Sequence, residues 1–131
     1  MKKVLVMCTG NSCRSIIGEA LINKYLDGVK AYSAGTKPVG KVNENAKKVL
    51  IKENAWNDNY HSKNLDEIID IDFDLVVTVC DNAKESCPIF PKPVNKRHIG
   101  YVDPAGKEYK EFENLVEKMK KEFLPMIKEL I

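Results

Sequence analysis

No apolar run in this chain approaches the length of a membrane span, and no charge of one sign dominates it. Lys and Arg number 21 against 19 Asp and Glu, a net charge of +2. That balance gives no case for a nucleic-acid surface or a membrane patch. Histidine is scarce: there are 2, His61 and His98, and neither neighbours a cysteine. No cysteine pair has zinc-finger spacing, which discounts zinc. Repeats and low-complexity segments are missing as well. Met1-Lys2-Lys3 followed by apolar residues starts like a signal peptide, but the run breaks at Cys8 and Thr9, too early for one. These absences predict a cytoplasmic protein with reduced thiols, no membrane contact and no nucleic-acid partner. At 131 residues, one domain spanning 1–131 is expected. A chain of that size buries roughly two-thirds of its unfolded surface.

What is present centres on residues 4–15, Val-Leu-Val-Met-Cys-Thr-Gly-Asn-Ser-Cys-Arg-Ser. Val4 to Met7 fits a buried parallel strand. Cys8 to Ser12 is a tight polar loop, and an amphipathic segment starts near Cys13. Cys8 and Arg14 form the pattern Cys-x5-Arg. A loop of this length can curl so that successive backbone N–H groups share one centre. Such a nest binds a tetrahedral oxyanion, and the N-terminus of the next helix adds its positive end. Thr9, Gly10, Asn11, Ser12, Cys13, Arg14 and Ser15 would form the cradle, closed by the Arg14 fork. Cys8 would sit on its floor, where the positive field favours the thiolate, a nucleophile. Gly10 is expected to supply a backbone angle that a side chain would oppose. A lone Cys and a lone Arg would read as a core residue and a solvated charge. A strand before the loop and a helix after it favour the anion site.

The rest of the chain alternates strands and helices. Helix 1 runs from the loop to Tyr25, with Asp27-Gly28 ending it and Glu19 and Asn23 off its apolar stripe. Val29 to Ala34 reads as strand 2, closed by Gly35, and Thr36 to Val42 as a loop. Glu44 to Ile51 has helical spacing. Trp56, in the loop at 54–59, reads as core packing or a lid. His61 to Asp66 reads as the capped start of a short helix through Ile69. Phe73 to Val79 is strand 3, ending on Cys80. Asp81 to Pro93 is a long loop carrying Cys87, and Val94 to Ile99 a short edge strand. Gly100 to Gly106 is a loop with Asp103-Pro104-Ala105. Lys107 to Ile131 is a last helix that Pro125 should kink or loosen.

This alternation predicts an α/β fold, a four-stranded parallel sheet flanked by helices, with the oxyanion loop after strand 1. Ligands of such sheets bind beyond the carboxyl ends of strands, where the strand order reverses. Cys8 ends strand 1 and Cys80 ends strand 3. If these strands are neighbours, both sulfurs lie on one rim, and the loop after strand 4 brings Asp103 there. Taken singly, Cys80 also fits a core cysteine, and Asp103 before Pro104 fits a turn former.

Four stretches together resemble one family. They are Cys-Thr-Gly-Asn-Ser-Cys-Arg-Ser at 8–15, Tyr-Ser-Ala-Gly at 32–35, Val-Val-Thr-Val-Cys-x6-Cys-Pro at 76–88 and Asp-Pro-Ala-Gly at 103–106. The chain resembles the low-molecular-weight tyrosine phosphatase fold and, within it, the thioredoxin-coupled arsenate reductases. The resemblance implies that arsenate binds the loop, with phosphate or sulfate as analogues. It implies Cys8 as nucleophile, Arg14 as anion ligand and Asp103 as general acid. It also implies a relay in which disulfides form between Cys8 and Cys80, then Cys80 and Cys87, with thioredoxin as reductant. Residues 81–88 would rearrange as that second disulfide forms. A bond buried at the oxyanion site is beyond reach of a protein reductant, which gives the relay its physical reason.

The same resemblance implies no tightly bound cofactor apart from a candidate potassium ion, and a monomer. Relatives that hold potassium use an Asn, a Glu, a Ser and an Asp; Asn11, Glu19 and Ser33 match three, and Asn64 stands where the Asp would fall. His98-Ile99-Gly100-Tyr101 and Val102 also depart from the family, making the acid's surroundings more apolar. Two other functions fit part of the residue set. A phosphatase needs only Cys8, Arg14 and Asp103, although Ala105 offers no aromatic wall for a phenyl ring. A redox sensor or oxyanion-binding module would use the same thiols without turnover.

Overall fold

A computed structural model describes residues 1–81 and 89–131. Four parallel strands, β1 (Lys2–Met7), β2 (Val29–Ala34), β3 (Leu75–Thr78) and β4 (Lys96–His98), form one sheet in the order β2-β1-β3-β4. Three helices accompany them: α1 (Arg14–Tyr25), α2 (Glu44–Lys52) and α3 (Tyr109–Leu130). Strands 1 and 3 are neighbours, as the position of the cysteines required. No helix among the described residues is long and apolar enough to cross a membrane.

The elements follow from local chemistry. In β1, Val4 to Met7 are fully buried because the central strand is covered on both faces. Val4, Val6 and Cys8 join an apolar cluster with Ile16, Ile17, Val49, Leu50, Val77 and Cys80. Phe112, Met119 and Phe123 of α3 belong to it too. Leu5 and Met7 point to the other face and meet Ala34, Leu65, Val76 and Phe90. Burying each such side chain contributes about 1.5–3 kcal/mol.

Several elements differ from their sequence expectation. Glu19 lies off the apolar stripe of α1 but is buried, because every residue from Arg14 to Ile22 is covered. β3 begins at Leu75, although the Val79 N–H still bonds the Met7 carbonyl, so pairing outlasts the regular strand. β4 is only Lys96–His98, and its side chains are exposed, as befits an edge. The short helix is one 3₁₀ turn, Leu65–Glu67, capped by Asn64, whose Oδ1 accepts from the Asp66 N–H. α3 starts at Tyr109 and passes Pro125 to reach Leu130; the proline does not end it. Trp56 packs edge-on against Tyr60 and donates to Asp58, a core-side role.

Glycine is needed where chains approach closely. A Cβ on Gly35 would stand 2.4 Å from the Thr9 carbonyl oxygen and 2.8 Å from that of Cys8. Gly10, expected to need special backbone angles, is not in the left-handed region, and a Cβ there would meet Val39 Cγ1 at an ordinary 3.4 Å. The left-handed residue of the loop is Asn11, at φ 48°. Asparagine tolerates that region better than most side chains.

This contrast gives a stability prediction. Gly35→Ala should cost ~1–3 kcal/mol in urea denaturation, because backbone must move. Gly10→Ala should cost less than about 1 kcal/mol. Equal losses would mean that the contact between the two loops does not limit packing.

Candidate active site

The loop 8–13 leaves β1 and feeds α1, whose N-cap is Cys13. Its carbonyls turn outward. Thr9, Gly10 and Ser12 accept from the N–H groups of Lys37, Val39 and Asn43, at 3.1, 3.1 and 3.0 Å. The Ser62 hydroxyl donates to the Gly10 carbonyl as well, at 3.1 Å. Carbonyls held away from the loop centre leave the N–H edges to face it, the requirement for an anion nest.

Asn11 is fully buried and organises the interior. Its Oδ1 accepts from the Lys63 backbone N–H at 2.9 Å, which fixes which end of the amide is which. Its Nδ2 then donates to Ser15 Oγ at 2.8 Å. Ser15 Oγ also hydrogen-bonds Cys8 Sγ, 3.0 Å away, where either group can donate. Cys8 is a free thiol, only 2% exposed.

Arg14 begins α1. It is 3% exposed, and Nη1 donates to the Tyr101 carbonyl at 3.2 Å. Its Nη2 stands 3.7 Å from Asp103 Oδ2. Asp103 is half-exposed, and its Oδ1 accepts from the Ala105 N–H at 3.0 Å. The turn that Asp103-Pro104 suggested therefore exists, and it aims the carboxylate at the arginine. Two bonds tie this loop to β3: Ile99 N–H to the Thr78 carbonyl and Tyr101 N–H to that of Val79.

Cys80 lies one residue past the position opposite Cys8, since Met7 pairs with Thr78. Neighbouring strands lie ~4.8 Å apart. Both cysteines belong to one apolar cluster. Cys80 is disulfide-bonded, whereas Cys8 and Cys13 are free, so its bond is with neither of them. Cys87 and the expected rearrangement of its segment lie outside the described residues. The fold thus brings together Cys8, the loop 9–15, Arg14 and Asp103, with Cys80 on the adjacent strand end.

The candidate potassium residues are arranged otherwise than the resemblance implied. The Ser33 hydroxyl donates to Glu19 Oε1 at 2.6 Å, and Glu19 is 6% exposed. Asn64 is occupied as the cap of its 3₁₀ turn. Lys63 Nζ donates to the carbonyls of Ser33 at 2.9 Å and His61 at 3.1 Å. An ammonium group thus already uses oxygens beside Glu19, so a potassium ion does not fit these residues as they stand. Burial pushes the Glu19 carboxyl up, opposed by the Lys63 charge and the Ser33 hydroxyl. Burial pushes the Lys63 ammonium down, opposed by Glu19. Sequence reading missed Lys63 because it sits in a polar run, His61 to Asn64, with no periodic signal. The Tyr101 carbonyl was missed too, because backbone acceptors leave no signature in residue type.

Burial pushes the Cys13 thiol up from its ordinary 9.0 to about 12, only partly offset by Ser12. Below pH 9.0 both folded and unfolded Cys13 stay protonated, and its contribution is fully present. As pH climbs towards about 12 the unfolded chain loses this proton and the folded chain keeps it, so stability falls. Two outcomes are expected. Iodoacetamide at pH 8 should spare Cys13 in the native protein and label it after unfolding in urea, read by peptide mass mapping. Cys13→Ala should flatten part of the alkaline loss of urea stability. Native labelling of Cys13 at its unfolded-state rate would contradict its burial.

Comparison with known proteins agrees with this geometry. An arsenate reductase of Bacillus cereus is 45% identical over 115 residues, 87% of this chain and 85% of the relative. A crystal structure of an arsenate reductase from Archaeoglobus fulgidus superposes with TM-score 0.84 at 29% identity, covering 95% of this chain and 98% of the other. An arsenate reductase in a phosphate-binding state shares the fold at TM-score 0.82 and 22% identity, with both chains fully covered. The family described as low molecular weight phosphotyrosine protein phosphatase matches residues 3–131. With that match spanning nearly the whole chain, the chain belongs to the low molecular weight phosphotyrosine protein phosphatase family.

Proposed function

We propose that this protein reduces arsenate to arsenite through a thiol relay recharged by thioredoxin. The observation that carries the reading is the second cysteine. Cys80 ends the strand beside that of the free Cys8, shares its apolar cluster and is itself in a disulfide. Hydrolysis of a phosphomonoester makes no use of such a group. The arsenate reductase relatives support the same choice.

In this reading arsenate enters the nest against Arg14. Cys8 Sγ bonds to arsenic, and one arsenic–oxygen bond breaks. The oxygen leaves as water after taking a proton from Asp103, whose carboxylate faces Arg14. Cys80 Sγ then bonds to Cys8 Sγ. The electron pair of the sulfur–arsenic bond stays on arsenic, which passes from As(V) to As(III) and departs as arsenite. Cys87 attacks Cys80 and releases the Cys8 thiolate. Thioredoxin supplies the electrons that reduce the Cys80–Cys87 bond and restore the resting enzyme. Oxygens and charge of phosphate match those of arsenate, so Cys8, Arg14 and Asp103 would also give weak phosphatase activity.

The deciding assay is arsenate-dependent NADPH consumption through thioredoxin reductase and thioredoxin. Cys8→Ser should abolish it while leaving the unfolding midpoint near that of the wild type. Turnover by that variant would sink the assignment. Asp103→Asn should lower the rate ~10²–10⁴-fold, the range for a lost general acid. Cys87→Ser should permit a single turnover and then stop, with a Cys8–Cys80 disulfide visible by mass mapping. Normal cycling of Cys87→Ser would refute the three-thiol relay. Steady hydrolysis of a phosphomonoester with no thioredoxin-linked turnover would make the protein a phosphatase instead.

A further inference from the structure

Beneath the anion loop the chain carries its own cation. We infer that the Lys63 ammonium takes the place of a monovalent metal ion in the support of the oxyanion loop, making this protein independent of potassium. Lys63 joins four parts of the scaffold. Its N–H holds Asn11 Oδ1 at 2.9 Å, its carbonyl accepts from the Gly35 N–H at 3.0 Å, and Nζ holds the carbonyls of Ser33 and His61. Ser33 in turn holds Glu19 through its hydroxyl. The side chain is 8% exposed.

Carbonyl oxygens beside a buried carboxylate are the donor set of a potassium or sodium ion. Those oxygens need a positive charge, and Glu19 needs one to offset its own. An ammonium is nearly the size of a potassium ion, presents three donors and arrives tethered to the chain. Being covalently held, it is present at any salt composition. A free ion competing for these oxygens would have to displace the lysine. Burial opposes charge on both partners, which makes each dependent on the other. The ammonium pins the 61–63 backbone to Ser33, and from the Lys63 backbone N–H the contacts run through Asn11 and Ser15 to Cys8. Lys63 is therefore a positioning residue for the nucleophile and touches no reacting atom. A cleft of about 470 Å³ lined by Glu19, Asn23, Ala31, Tyr60 and Lys63 among others gives small cations access to this layer. The assignment concerns the scaffold under the loop and holds whichever anion the loop accepts.

The test compares sodium, potassium, ammonium and choline chlorides at equal ionic strength, with unfolding midpoint and Cys8 alkylation rate as readouts. Neither readout depends on arsenate turnover. The wild type should give the same values in all four salts and no saturable thallium-205 NMR signal for a bound monovalent ion. Lys63→Ala, which opens space and removes the charge, should lose about 5 °C or more in choline. Potassium or ammonium should restore most of that loss in a saturable way, along with the alkylation rate. Lys63→Met keeps the stem volume without the charge, so it should be destabilised and stay beyond rescue. A wild-type midpoint that rises saturably with potassium would overturn the inference. So would a Lys63→Ala protein indifferent to the choice of salt. Should Lys63→Ala not fold in choline, folding restored by potassium supports the inference, and failure in every salt counts against it.

Discussion

The arrangement depends on one buried amide, that of Asn11. An anion nest needs backbone carbonyls turned out, and outward carbonyls need partners elsewhere. Residues 37–43 and Ser62 supply those partners, while Asn11 fixes the inner side. It does so from the left-handed region, where few side chains sit at ease. Its oxygen and nitrogen are both engaged, one with the Lys63 backbone and one with Ser15. A loss of such a side chain leaves a buried N–H and a buried hydroxyl short of a partner, at about 1–3 kcal/mol each. The ends of β1 and β2, the segment 62–64 and the first turn of α1 are all joined through it.

Sheet topology carries the second constraint. Strand β1 is central: β2 lies on one side and β3 on the other, so the chain reverses its direction of winding beside β1. The crevice at such a reversal is where the anion loop opens. Cys8 comes from the first strand, Cys80 from the third, and Asp103 from the loop beyond the fourth. Each arrives by a separate connection, so these three residues meet only once the sheet is complete. The bonds from Ile99 to Thr78 and from Tyr101 to Val79 then hold the Asp103 loop beside Arg14.

Much of this was legible in the residues. The run Val4 to Met7 announced a doubly covered strand, and Cys-x5-Arg between a strand and a helix announced the anion loop. The bounds of β2 were readable because Gly28 and Gly35 bracket it. The failures have physical causes. Glu19 looked exposed because helix periodicity assumes one wet face, and α1 has almost none. Pro125 was expected to kink or loosen the last helix, and the helix runs past it to Leu130, since a proline near a helix end forfeits few hydrogen bonds. Gly10 drew the backbone argument that belongs to Asn11, because composition favours glycine and only coordinates reveal which residue turns. Lys63 was invisible, since a lysine in a polar run is normally a solvated charge.

The buried pair under the loop also bears on anion binding. Glu19 lies five residues along α1 from Arg14, about 7.5 Å of helix rise. Two unit charges ~10 Å apart interact by about 1.7 kcal/mol at an effective dielectric of 20. An uncompensated carboxylate at that depth would oppose the bound anion by an amount comparable to a tenfold loss of affinity. The Lys63 charge acts on Glu19 with the opposite sign and so opposes this field. A buried ion pair is weak support for stability in general. Here its value lies in placement: it holds Ser33 and the 61–63 backbone together. A neutral pair of the same shape would also leave the anion unopposed. It would not hold the carbonyls of Ser33 and His61, which are turned towards a positive charge, and the loop would lose its floor before it lost its field.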